Sequence, residues 1–129
     1  SDPRHIAARY NLACVLSLDG KKVSAKEAFH SVLRIDPDHV ESYNNLATIL
    51  YGEGHLEEAT KYYREALERR PYFAIGHNNL GLALQRLGRL EEAATHYRRA
   101  LELRPNFTIA AKRLERIKQL QESSQSDEP

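Results

Sequence analysis

Two punctuation marks recur along this chain with a single period. Gly20, Gly54 and Gly88 stand 34 residues apart, and so do Pro37, Pro71 and Pro105. A chain that repeats itself at this spacing is built from like units stacked side by side, because one short unit cannot bury its own apolar face. In this phase the repeats are 6–39, 40–73 and 74–107. Residues 108–121 form a closing segment, 1–5 an N-terminal extension and 122–129 a tail.

Each repeat predicts two helices. The first helices run over about 4–18, 39–52 and 73–86, and each glycine then falls where a left-handed residue ends a helix. The second helices stop before their prolines, since the residue preceding proline is pushed out of the helical region. Ser24 with Glu27, and Asp38 with Glu41, have the spacing of capping boxes. Apolar residues fall at helical spacing: Leu46, Ile49 and Leu50 in one first helix, Leu80, Ala83 and Leu84 in the next. In the second helices Ala59, Tyr63 and Ala66 repeat as Ala93, Tyr97 and Ala100, which places small residues where helices approach closely. Bulk at such a position costs about 1–3 kcal/mol.

The formal net charge of +1 gives no electrostatic case for nucleic acid or a membrane surface. No apolar run is long enough to span a bilayer. The single cysteine, Cys14, cannot form an internal disulfide and fits a reducing, cytoplasmic compartment. The lack of methionine and the opening "SDP" predict a piece excised from a longer chain.

Catalytic patterns are not found. The six histidines have no metal-ligand spacing, so no metal or cofactor is expected. Glu57–Glu58 and Glu91–Glu92 repeat with the period in the first turn of second helices, where they complement the helix dipole. Gly52 and Gly54 belong to a turn between helices and not to a phosphate loop. The Arg, Lys and Glu of "YYREALERR" and "YRRALELRP" predict a solvated outer face.

The pattern resembles the tetratricopeptide repeat over about residues 6–121. The third repeat carries it with Leu80, Gly81, Ala93, Tyr97, Ala100 and Pro105. The second carries it with Tyr43, Leu46, Ala47, Ala59, Tyr63, Ala66 and Pro71. The first is more divergent, with Arg9 and Val32 where an aromatic and an alanine are usual. "TIAAKRLERIKQL" looks like a capping helix, and the apolar-free tail "QESSQSDEP" is expected to be disordered. The resemblance implies an all-α fold, a right-handed superhelical solenoid of antiparallel helix pairs, with no catalytic residues. It implies a protein-interaction scaffold that takes a protein or peptide in a concave groove lined by the first helices.

Asn11, Asn45 and Asn79 occupy one position of the three repeats and form a column on that implied groove wall. A carboxamide can both donate to and accept from an extended peptide backbone. Two readings stand open: the column holds a guest peptide, or it bonds within the array. Asn44 and Asn78 lean the same way, and Tyr10, Cys14, Glu41, Thr48, Tyr51, Ile75, Leu82, Gln85 and Arg86 follow by helical spacing. Tyr10 and Tyr51 are candidate aromatic anchors. At the far end Lys112, Arg113 and Arg116 share a face suited to a carboxylate, or simply to solvent. The carboxylate clamp of chaperone-adaptor relatives is not matched. Tyr10 and Cys14 stand where Lys and Asn are needed, and Ile75 and Asn79 where Lys and Arg are needed. The Asn column is closer to that of the O-linked N-acetylglucosamine transferase repeats. Self-association through the terminal repeats, and a substrate-recruiting role within a larger enzyme such as a glycosyltransferase, are the alternatives.

Overall fold

The computed structural model describes residues 3–126 as seven helices, with no strand among the described residues. They are α1 (Pro3–Leu18), α2 (Lys22–Ile35), α3 (Val40–Gly52), α4 (Leu56–Arg69), α5 (Ala74–Arg86), α6 (Leu90–Leu103) and α7 (Thr108–Ser126). The chain forms two bodies, Ser1–Pro71 and Tyr72–Pro129. The N-terminal body pairs α1 with α2 and α3 with α4, and α2 also packs on α3. The C-terminal body pairs α5 with α6, and α7 closes on α6.

The three glycines end the first helices as the period predicts. Gly20, Gly54 and Gly88 have φ of 76°, 85° and 82°. After α3, His55 N–H reaches back to Leu50 O at 2.9 Å and Gly54 N–H to Tyr51 O at 3.0 Å. Lys21 to Leu16 and Arg89 to Leu84 repeat that back-bond, so orphan carbonyls at each helix end are satisfied. The same residue then starts the next helix: Ala25 N–H bonds Lys21 O, Ala59 bonds His55 and Ala93 bonds Arg89. With one residue serving both ends, a separate capping residue has no place. This corrects the capping box expected at Ser24; at the α2–α3 turn, whose two ends are capped separately by Asp36 and His39, the box expected at Asp38 is displaced by one residue. Ser24 lies inside α2, whose N-cap is Lys21, and Asp38 precedes the cap of α3, which is His39. The His39 ring takes over that task and accepts from Ser42 N–H at 3.3 Å.

Each helix pair closes over small residues. In the N-terminal body Ala13, Ala25 and Phe29 of the first pair, and Ala47, Ala59 and Tyr63 of the second, are buried. In the C-terminal body Leu80, Leu84, Ala93, Tyr97 and Ala100 form the core, and Ala110, Leu114 and Ile117 of α7 extend it. Gly81 meets the Tyr97 ring there. A Cβ at Gly81 would lie 2.8 Å from Tyr97 Cε1, closer than real contacts allow.

The terminal helices extend past the bounds of the repeats. α1 begins at Pro3, inside the segment read as an extension. Proline suits a helix's first turn, where its missing N–H is no loss. α7 continues to Ser126, into the stretch expected to be disordered, with neither Gly nor Pro between Thr108 and Ser126 to interrupt it. Residues 1–2 of the extension and 127–129 of the tail lie outside the described residues.

Candidate functional site

In the N-terminal body the candidate residues of α1 and α3 come together. Tyr10 is half-buried, with its ring 4.8 Å from that of His39 and 6.0 Å from Phe29. Asn45 Nδ2 donates to Tyr10 Oη at 2.9 Å and lies 3.9 Å from Cys14 Sγ. Burial, then the Cys14 side chain, pushes the Tyr10 phenol up to about 12, with Asn45 opposing. The Asn45 carboxamide is thus engaged on one side only. Among the described residues no hydrogen bond is donated to its Oδ1.

Asn45 also stands on the wall of a cleft of about 410 Å³. Cys14, Ser17 and Leu18 of α1, Lys22 and Phe29 of α2, and Thr48, Ile49 and Gly52 of α3 complete it. Sequence reasoning had placed Cys14, Asn45 and Thr48 on the groove but missed the others. The signal for Lys22 was present: the equivalent repeat positions hold Leu56 and Leu90.

Other expected groove residues of this body serve the scaffold. The Thr48 hydroxyl is 2.9 Å from the Tyr63 hydroxyl and donates to Asn44 O at 2.9 Å. Burial drives the Tyr63 phenol up to about 12, with the Thr48 contact opposing. Glu41 pairs with Arg70 at 3.1 Å. Asn11 is exposed on α1, while Asn44 and Tyr51 are half-buried.

In the C-terminal body, Asn78 is 5% exposed and accepts from Arg113 of α7 at 3.4 Å. It is therefore a buried partner of the closing helix and not an open groove amide. Asn79 and Leu82 are half-buried, and Arg86, Lys112 and Arg116 are exposed. Gln85 accepts from Tyr97 Oη at 2.8 Å. The imidazoles of His77 and His96 stack with centroids 5.3 Å apart and Nδ1 atoms 3.1 Å apart. Tyr43 and Tyr62 hold the same repeat positions in the N-terminal body, stacked at 6.5 Å. Sequence reasoning missed both pairs as pairs. No group of three or more potential metal ligands occurs among the described residues. No helix among them is long and apolar enough to cross a membrane.

Sequence profiles of the tetratricopeptide repeat match residues 40–73 and 74–107, and a second profile of the same repeat matches 6–39. The chain belongs to the tetratricopeptide repeat family. The comparison with curated proteins gave no match. Among solved structures, the first tetratricopeptide domain of Spaghetti (RPAP3) bound to the HSP90 peptide SRMEEVD has a TM-score of 0.88 at 24% identity, covering 92% of this chain and 94% of that one. The Yersinia enterocolitica type III secretion chaperone SycD, in complex with a peptide of the translocator YopD, has a TM-score of 0.87 at 20% identity, with 93% and 97% covered. These two likenesses are of fold. A Thermobaculum terrenum O-GlcNAc transferase mutant has a TM-score of 0.80 at 30% identity, covering 87% of this chain. The chain spans 22% of that transferase.

Within the tetratricopeptide fold the carboxamide column has a visible local use. Asn45 donates to the side chain 35 residues before it, and Arg113, at the same repeat position, donates to Asn78, also 35 residues before it. The sixth repeat position thus reaches the fifth residue of the preceding repeat in both bodies, through a carboxamide in one and a guanidinium in the other. Asn45 combines this link with a cleft.

Proposed function

We propose that the chain is a non-catalytic scaffold that binds an extended peptide segment against the wall formed by α1 and α3. What carries this is Asn45, whose Oδ1 is open to a guest N–H beside a cleft of about 410 Å³. The peptides held by the Spaghetti and SycD domains, which share the fold, support it. The clamp residues needed for heat-shock chaperone tails are not in place, so a different peptide is the ligand. One peptide hydrogen bond contributes about 0.5–1.5 kcal/mol. Micromolar affinity, about −8 kcal/mol, then requires side-chain burial as well. The single thiol, Cys14, supports a reducing compartment as the place of action.

The test is an array of random short peptides probed with labelled protein. Asn45→Ala with Asn79→Ala is expected to weaken binding several-fold at unchanged helix content. Equal binding by the double variant removes the Asn column from recognition.

Self-association is the second reading. It is favoured by Leu12, Val15 and Val23, each more than half exposed on α1 and α2. Light scattering decides it, since a monomer at high concentration excludes assembly. The likeness to part of a glycosyltransferase supports a recruiting role in a larger enzyme. The sequence of the parent gene tests that directly.

A further inference from the structure

One repeat position changes character along the chain. It is a half-buried leucine in the second and third repeats, Leu56 and Leu90, and a lysine, Lys22, in the first. Lys22 is the first residue of α2 and lines the cleft together with Leu18, Phe29 and Ile49. The two positions after it change as well. Glu57–Glu58 and Glu91–Glu92 open α4 and α6, whereas Val23 and Ser24 follow Lys22, so the first turn of α2 holds no acid. No carboxylate lines the cleft. Glu53, just past Gly52, is held by Lys26 at 2.8 Å.

The cleft therefore joins apolar walls to a cation whose acidic neighbour, Glu53, lies outside the lining and is already paired with Lys26. A pocket of this size takes an apolar side chain with a few polar groups fixing its orientation. An ammonium beside it favours a carboxylate through a charge-assisted hydrogen bond. We propose that the cleft selects, within the bound peptide, an apolar residue adjacent to an acidic one. The apolar side chain sits among Leu18, Phe29 and Ile49, the carboxylate faces Lys22, and the main-chain N–H meets Asn45 Oδ1. This rests on the peptide-binding assignment above and adds to it the sequence class of the ligand.

The same random-peptide array, probed with wild type, Lys22→Leu and Lys22→Glu, tests it. Lys22→Leu installs the residue that the other two repeats carry, so the helix pair is preserved, and circular dichroism verifies this. Wild type is expected to enrich Leu, Ile or Val next to Asp or Glu. Lys22→Leu should lose the acidic preference several-fold while keeping the apolar one, and Lys22→Glu should turn the preference to Lys or Arg. Peptides that bind all three proteins with the same neighbour preference overturn this inference and leave general peptide binding intact. An array with no binding to any peptide overturns both.

Discussion

Asn45 donates its amide hydrogen to the hydroxyl of Tyr10 at 2.9 Å, joining α3 to α1 across 35 residues of sequence. Both side chains are half-buried, so the bond is shielded from competing water. A net hydrogen bond of this kind contributes about 0.5–1.5 kcal/mol. Tyr10→Phe and Asn45→Ala, singly and together, should give a coupling energy in that range by chemical denaturation. Full additivity would mean that the bond contributes nothing to stability.

Gly81→Ala sets two effects against each other. Alanine gains about 1 kcal/mol of helix propensity over glycine. Its Cβ, however, would sit 2.8–3.1 Å from three ring atoms of Tyr97, whose side chain is fully buried. Overpacking costs about 1–3 kcal/mol, so the net change is expected to be a loss of up to about 2 kcal/mol. A thermal melt measures it, and an unchanged or raised midpoint would show that the ring yields freely.

Gly54→Ala carries no steric penalty, because nothing lies within 4 Å of the added Cβ. The cost is the backbone alone, since φ of 85° is a left-handed conformation. That amounts to about 1–2 kcal/mol for an L-residue. Gly54→Asn, better suited to such a φ, should recover part of the loss in the same melt.

Glu41 gives the fold a modest acid sensitivity. Burial works to raise its carboxyl, but its own backbone amide and Arg70 outweigh this and hold it below the ordinary value of 4.5. A depressed carboxyl stabilises the fold above its unfolded value, and this is lost as pH falls through the folded one. The pair is well exposed, so screening leaves only about 0.2–1 kcal/mol. Glu41→Gln should lower the melting temperature slightly at neutral pH, and the gap to wild type should close below the carboxyl's titration. A gap that persists in acid would assign the effect to packing.

The period, the helix-ending glycines and the small residues between helices were legible because each rests on local geometry that recurs at 34 residues. The helix starts were not. Ser24 and Asp38 carry the right side chains, but the turns leave no room for them, since Lys21 and His39 already hold the cap positions. Among the residues lining the cleft, Asn45 and Cys14 were readable from helical spacing. Asn78 was not, because its partner Arg113 arrives from a helix further along the chain. Lys22 was overlooked for the opposite reason: it breaks the repeat, and attention to what recurs passes over what departs.

The slot filled by Tyr43 with Tyr62, and by His77 with His96, has a wider consequence. Two chemically different ring pairs stack at one address with nearly equal tilt, 24° and 23°. The helical hairpin thus behaves as a socket that fixes orientation and leaves the insert exchangeable. Individual hairpins can acquire new ionic or spectroscopic character there while the frame around them stays as it is.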